Sequence, residues 1–432
     1  MTIWHETTLG QLLKVEHGFA LKSKYFSETG EFVVLTPGNF HESGGFRARP
    51  SKDRFYQGKF PSKYLLAKND LIVAMTEQGE GLLGSAALIP DENRYLHNQR
   101  LGRVTVKTGS DKRFVYYLFN TDFIRRQIRN SSSGAKVRHT SPERIYQIKA
   151  LVPEKSCQQK IAAILYSYDE LIEINKRRIA LLEKLAEEIY REWFVRFRFP
   201  GHQTVDVIRG VPAGWHLEKI ADAFDFTGGG TPSTAVDRYW IGGNLNWFTP
   251  SDITSSDGIF LEKSSVQCTE EGLNNSSARM FPEYSVMLTS RATVGAVGIN
   301  LAPASTNQGF ITCIPNERYP LPYLYHWIKL SRSYFESLAV GATFAELTKG
   351  VFKRIEILTP PRPILAGFTQ LSMPLLKGIE VCLRANRILA AMQNKLLPRL
   401  ISGKLSVENL DIQFPPSMAE ELEPKEPVAV YA

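Results

Sequence analysis

Two stretches of the chain space their apolar residues as a paired helix does. Residues 156–196 contain no Gly and no Pro, and Leu165, Ile172, Ile179, Ala186 and Trp193 recur every seven residues. Tyr168, Asn175, Leu182 and Ile189 form a second seam between them. An a/d pattern sustained over about four heptads predicts a helix packed against another long helix; forty residues would measure roughly 60 Å. The partner lies in the same chain. Leu375, Cys382, Leu389 and Leu396 repeat with period seven, with Ile379 and Asn386 between them. Pro374, near the start of this stretch, is expected to end a short first turn or kink the helix. Asn175 and Asn386 sit on seam positions, where a polar side chain fixes register at some cost in stability; the alternative is a solvated helix edge. Antiparallel pairing is the simplest arrangement.

Before each helix the pattern is of another kind. Short strand-like runs, Glu31-Phe32-Val33-Val34-Leu35, Asp70-Leu71-Ile72-Val73-Ala74-Met75 and Tyr284-Ser285-Val286-Met287-Leu288, are punctuated by Gly, Pro, Ser and Asn. Apolar residues at three- and four-residue spacing predict helices over residues 115–128 and 321–337. These blocks repeat. Ser133-Gly134-Ala135 and the later Leu151-Val152-Pro153 match Val340-Gly341-Ala342 and Leu358-Thr359-Pro360, both at an offset of 207. Between them Arg144-Ile145-Tyr146-Gln147-Ile148 faces Val351-Phe352-Lys353-Arg354-Ile355, an alternation that reads as a strand. Asn98-Gln99 faces Asn307-Gln308 at offset 209, Thr36-Pro37 faces Thr249-Pro250 at 213, and Trp4 faces Trp215 at 211. An ordered series with so little drift means duplication. The expected organisation is α+β: a first domain over 1–153, a helix over 154–198, a second domain over 199–360, a helix over 361–404, and a partly disordered tail over 405–432. The two helices are expected to form an antiparallel coiled coil with pseudo-two-fold symmetry.

Charge distinguishes the two copies. The 432-residue chain carries a formal +8, and residues 1–153 hold 23 basic against 14 acidic side chains, whereas residues 201–360 hold 12 against 15. A polyanion would therefore meet the first copy more strongly. Four widely spaced cysteines show no CxxC pair, which reads as reduced thiols and, with the lack of a secretory leader or apolar span, as a cytoplasmic protein without a membrane partner. No phosphate loop, HExxH or other ligand spacing is present. The glycines at 228–230 read as a turn. The expectation is a chain without catalytic residues, metal or cofactor of its own.

The residues then become recognisable. Gln158-Gln159-Lys160-Ile161-Ala162-Ala163-Ile164-Leu165, Leu396-Leu397-Pro398-Arg399-Leu400-Ile401-Ser402-Gly403-Lys404-Leu405, Gly229-Gly230-Thr231-Pro232-Ser233, and Ser290-Arg291-Ala292-Thr293-Val294-Gly295 with Asn307-Gln308-Gly309-Phe310 occur in a duplicated frame. That frame resembles the DNA specificity subunit of type I restriction–modification systems. The resemblance implies two target-recognition domains, each reading one half of a bipartite, asymmetric site in double-stranded DNA. It implies helices that space the halves and dock two methyltransferase subunits, with restriction/translocase subunits beyond them. S-adenosylmethionine and ATP would reside on those partners. The first copy departs from the pattern, with Leu21-Lys22-Ser23-Lys24-Tyr25 facing Gly230-Thr231-Pro232-Ser233-Thr234, and Met75-Thr76-Glu77-Gln78-Gly79 facing Thr289-Ser290-Arg291-Ala292-Thr293. The DNA-reading candidates are Lys22, Lys24, Tyr25, Lys136, Arg138 and His139 in the first domain. In the second they are Thr231, Ser233, Thr234, Arg291, Thr293, Thr343 and Phe344. Asn98-Gln99 and Asn307-Gln308 either bind adenine through paired amides or hold a turn. Two other readings stay open: a protein-interaction scaffold, suggested by the acidic second domain, and a specificity chain serving a fused methylase–nuclease.

Overall fold

The computed structural model describes residues 4–77, 81–134, 136–341 and 345–418. Its contacts divide into two units, Met1–Ile172 with Ile388–Ala432, and Glu173–Arg387.

In the first unit, Leu13–His17, Leu101–Val106, Leu71–Ala74 and Ala86–Leu88 form an antiparallel four-stranded sheet in that order. A second sheet of two-residue strands contains one parallel pairing, Tyr95–Leu96 on Val33–Val34. The strand His5–Thr8 lies antiparallel to Lys149–Val152, with His5 opposite Val152. The helices Lys112–Phe119 and Asp122–Asn130 bury Phe114, Phe119, Ile124 and Ile128 beneath the first sheet's Leu71 and Val73.

The second unit repeats this order. Phe226–Gly228, Phe310–Cys313, Val286–Thr289 and Val297–Asn300 occupy the same sequence of places, with Phe260–Leu261 added at the edge. Leu245–Phe248 pairs in parallel with Ala304–Thr306, and His216–Lys219 lies against Glu356–Thr359. Leu321–Leu330 and Arg332–Leu338 stand where the first unit has its helix pair. The sheets are thus mixed, and the duplicated α+β organisation is present.

Several local expectations change. Residues 115–128 hold two helices, because Thr121 turns its hydroxyl onto the Ile124 N–H and starts a new helix. The run at 144–148, expected as a strand, lies mostly in the helix Pro142–Tyr146, capped by Ser141 with Pro at its first position. Its counterpart at 351–355 is not a strand either: Val351 and Phe352 end the helix Lys349–Phe352, capped by Thr348, and residues 353–355 form the turn after it. In both copies the strand begins only afterwards, at Lys149 and Glu356.

The long helices are α1, Lys155–Tyr190, and α2, Arg362–Ile401. A π-helical turn, Arg191–Val195, ends the first. Pro374 neither ends nor breaks α2. It lies on the exposed side of the helix, as does Gln370, whose carbonyl loses its donor. In α1 and the π-helical turn that ends it, Leu165, Tyr168, Ile172, Asn175, Ile179, Leu182, Ala186, Ile189 and Trp193 are all buried or half-buried. The same holds for Leu375, Ile379, Cys382, Asn386, Leu389 and Leu396 of α2. Within the second unit Trp193 packs on Phe368, Leu182 reaches Gly378, and the Asn175 amide donates to Asn386 Oδ1 at 2.9 Å. Steps toward one C-terminus match steps toward the other N-terminus, so these segments run antiparallel. Within the first unit Gln393 donates to the Leu165 carbonyl at 3.0 Å and to Asp169 at 2.7 Å.

Beyond α2 the chain stays packed on the first unit as far as Met418. Val407 and Met418 are buried in its core. Lys160 Nζ donates to the carbonyls of Glu408 and Leu410. Residues 419–432 lie outside the described residues. The four cysteines are buried and none is in a disulfide. Among the described residues no helix is long and apolar enough to cross a membrane.

Candidate nucleic-acid interface

In each unit two loops hang from one short segment, and a third hangs from the second of them. In the first that segment is residues 97–100. The Phe19 N–H donates to the His97 carbonyl, the Met75 N–H to the Arg100 carbonyl, and the Thr140 N–H to the Met75 carbonyl. In the second it is residues 306–309, to which Gly230 and Ser290 donate in the same way, and Leu347 donates to Ser290. The three tethered loops carry the sequence-predicted candidates: Lys22, Lys24 and Tyr25 follow Phe19, and Thr231, Ser233 and Thr234 follow Gly230. Arg291 and Thr293 follow Ser290, while Lys136, Arg138 and His139 precede Thr140.

Side chains on the hub segments hold its shape. Asn98 Oδ1 accepts from the Arg100 N–H and Asn307 Oδ1 from the Gly309 N–H, so both asparagines hold an equivalent turn. His97 is buried, and a ring nitrogen 2.9 Å from the Leu101 carbonyl must carry the proton there. Burial pushes its pKa down to about 4, leaving a neutral structural histidine. Gln308 Oε1 accepts from the Thr231 hydroxyl at 2.5 Å.

The hub also explains two glycines. A Cβ on Gly18 would lie 2.2 Å from the Asn98 carbonyl oxygen, and one on Gly229 would lie 2.0 Å from that of Asn307. Only glycine permits so close a backbone approach. This corrects the sequence register: Gly18, not Ala20, is the counterpart of Gly229, and Phe19 that of Gly230. The run at 228–230 is likewise more than a turn, since Gly228 closes the strand Phe226–Gly228. The Met75 match also shifts by one, with Met75 facing Ser290. An offset of 211, the same as that of Trp4 and Trp215, was the signal that locates these glycines.

All eleven described candidates are exposed; Thr343 and Phe344 lie outside the described residues. Tyr25 and Phe26 stand edge-on to Tyr56, with Lys24 Nζ 4.9 Å from the Tyr25 ring. The 131–139 segment is not simply a loop before a strand. Arg138–His139 is itself a strand, paired with Thr76–Glu77, and Ser133 and His139 bridge across the turn that carries Lys136. Arg144 donates to Ser133 Oγ at 2.8 Å and steadies that turn. In the second unit Arg291 and Val340 both bridge Glu346, and the Arg291 guanidinium stands 4.0 Å from the Glu346 carboxylate. Trp240 donates to the Ser233 carbonyl and packs on Trp247, which donates to the Gly230 carbonyl. Among the described residues no group of three His, Cys, Asp or Glu side chains is placed to hold a metal ion.

An arrangement of exposed basic, hydroxyl and aromatic side chains on loops fixed to one scaffold suits recognition better than bond-making. Comparison with known proteins agrees. The family model described as type I restriction modification DNA specificity domain matches residues 1–184 and 212–372. The MjaIX type I restriction enzyme specificity subunit of Methanocaldococcus jannaschii is 35% identical over 170 residues, 39% of this chain and 39% of that protein. The HindI specificity subunit of Haemophilus influenzae is 24% identical over 316 residues, 59% of this chain and 68% of its own. The match to the first of these thus spans about two fifths of that relative's length. The crystal structure of the type I restriction–modification S subunit from M. genitalium superposes with a TM-score of 0.60 at 16% identity, covering 92% of this chain and 96% of that one. At that identity the likeness is one of fold. With two copies of the matching domain across most of its length, the chain belongs to the type I restriction–modification DNA specificity family.

Proposed function

We propose that this chain is a non-catalytic subunit that reads a bipartite, asymmetric sequence in double-stranded DNA, one half with each unit, and that α1 and α2 dock two methyltransferase subunits. The observation that carries this reading is the duplicated hub: the same three tethers recur in both units while the side chains on the tethered loops differ. Equivalent backbones with different side chains suit readers of unlike half-sites. Lys136 and Arg138 supply phosphate or guanine contacts in the first unit. Thr231, Ser233, Thr234, Arg291 and Thr293 supply hydroxyl and guanidinium contacts in the second.

Docking has its own support. On α1, Ile174, Leu181 and Leu185 of the second unit are 44%, 68% and 50% exposed, outside the seam that faces α2. Val381 of the same unit is 64% exposed on α2. An apolar stripe left open on a paired helix is a surface for further helices. S-adenosylmethionine and ATP would be bound by the methyltransferase and restriction/translocase partners.

Purifying the full chain with whatever accompanies it, and mapping modified adenines in cells that carry the system, tests the proposal. A two-part motif with a fixed gap is expected, along with a methyltransferase in the purified complex. The acidic second domain favours a different reading, a scaffold that binds polypeptides. Binding that is indifferent to duplex DNA and heparin would establish that reading and remove the first. A single co-purifying polypeptide with both methylase and nuclease activity would assign the chain to a fused system.

A further inference from the structure

Beside the strand Thr76–Glu77 lies a buried carboxylate with no part in the reading given so far. Glu77 is 4% exposed. Its Oε2 accepts from three successive backbone N–H groups, of Gly81 at 3.1 Å, Leu82 at 3.0 Å and Leu83 at 2.8 Å. Its Oε1 lies 3.6 Å from Arg129 Nη2. Arg125, one turn earlier on the helix Asp122–Asn130, donates to the carbonyls of Glu42 and Gly81. A charge at this depth persists only where it is paired and hydrogen-bonded. Here the successive N–H groups form a nest around the anion, and the side chain ties residues 81–83 to the end of its own strand. The backbone of Glu77 meanwhile pairs with Arg138, so one residue ties that segment to the strand bearing Arg138 and His139.

The second unit closes the equivalent turn without charge. Thr76 pairs with His139 as Arg291 bridges Glu346, which makes Ala292 the counterpart of Glu77. At the far end Gly84 donates to the Ala74 carbonyl as Gly295 donates to that of Thr289. Between these anchors the first unit is four residues longer, and the shorter turn needs only a hydroxyl. Thr289 Oγ1 accepts from the Ala296 N–H at 2.9 Å and donates to the Thr293 carbonyl. A longer turn leaves more backbone donors to satisfy than one hydroxyl can reach, and a carboxylate satisfies three.

We infer that Glu77 is a positioning residue for sequence reading by the first unit. It does not touch DNA; it fixes residues 81–83 and the Arg138–His139 strand in the geometry that gives this unit a half-site unlike the other. The inference rests on the DNA-reading function proposed above. The test uses the full chain purified with its partners. The probes are duplexes carrying the motif found by adenine mapping, each with one substituted base pair in the first or the second half. Glu77→Ala is expected to lose at least tenfold of the discrimination at the first half-site and to keep that at the second. The slope of log affinity against log salt should stay as in the wild type, because every phosphate-binding side chain remains. Glu77→Gln keeps an oxygen for the three N–H groups but loses the charge facing Arg129, and should fall between. Should Glu77→Ala fail to fold, Glu77→Gln decides by the same measure. Unchanged discrimination at the first half-site, or an equal loss at both, overturns the role of Glu77. A wild-type complex that prefers neither probe overturns the DNA-reading function itself.

Discussion

At the scale of single residues, the most constrained positions are the glycines against the hubs. Replacing Gly229 by Ala sets a methyl 2.0 Å from a backbone oxygen that is held on both sides. The 306–309 segment must move, and a loss of about 2–4 kcal/mol is expected, read as a lower urea midpoint of the full chain. Gly18→Ala should behave alike, whereas Gly210→Ala, with open space around its Cβ position, carries only the strain of its φ of 82°. The buried histidines give a second residue-scale outcome. His326 stacks on Tyr190 and donates to the Pro322 carbonyl; burial first, then Lys329, lowers its pKa from 6.5 to about 4 against the opposing pull of that hydrogen bond and of Glu187. His97 is lowered to about 4 as well, again by burial first. Because the unfolded chain takes up these protons at a higher pH than the folded one, the stability they confer is complete above about pH 6.5 and is lost as pH falls toward 4. Thermal melts at pH 7.5 and 5.0 should show a lower midpoint in acid. The His326→Phe variant, which retains a ring beside Tyr190, should show a shallower pH dependence. An identical dependence in the variant would remove His326 from the acid response.

At the scale of elements, the seam polar pair can be separated from its apolar neighbours. Asn175→Leu alone leaves the Asn386 amide without the partner it has at 2.9 Å, and should cost about 1–2 kcal/mol. The Asn175→Leu/Asn386→Leu double variant should recover that loss and exceed the wild type in stability while relaxing register. A denaturation cycle over the four proteins measures the coupling, and additive losses would show that the amides act independently. Why this pair was legible in sequence, and other elements were not, follows from length. Period seven over roughly ten turns of helix is a signal that no local contact overrides, so α1 and α2 and their seam positions could be read directly. At 144–148 five residues alternated like a strand, yet Ser141 and Pro142 just upstream start a helix, and local capping outweighed a short period. Pro374 misled in the opposite direction, since a proline on the exposed side of a long helix costs α2 little continuity. For the candidate interface, the sequence showed which loops repeat but misplaced Gly18 by two residues. Glu77 escaped notice because a buried carboxylate in a polar loop looks like any solvated one until the N–H groups around it are located.

At the scale of the whole molecule, charge and helix length make separate predictions. The basic excess lies in residues 1–153, with Lys136 and Arg138 exposed on one turn and strand. Lys136→Ala with Arg138→Ala should weaken DNA binding and reduce the steepness of its salt dependence, by about one counterion for each phosphate left unneutralised. An unaltered slope would exclude that loop from the phosphate backbone. Helix length acts on spacing. α1 is uninterrupted from Lys155 to Tyr190 and α2 from Arg362 to Ile401, so residues added to a helix cannot be absorbed by a loop within it. Four residues inserted between 179 and 186 add up to roughly 6 Å of helix, which sets an upper bound of about two extra base pairs at ~3.4 Å each. Four residues also shift the heptad, and local unwinding of the pair takes up part of the gain. The mapped gap between half-sites should therefore lengthen by one or two base pairs while both half-site sequences stay the same. A gap that does not change would mean that something other than these helices sets the spacing. Altered half-sites with an unchanged gap would mean that the insertion disturbed the readers and left the ruler untouched.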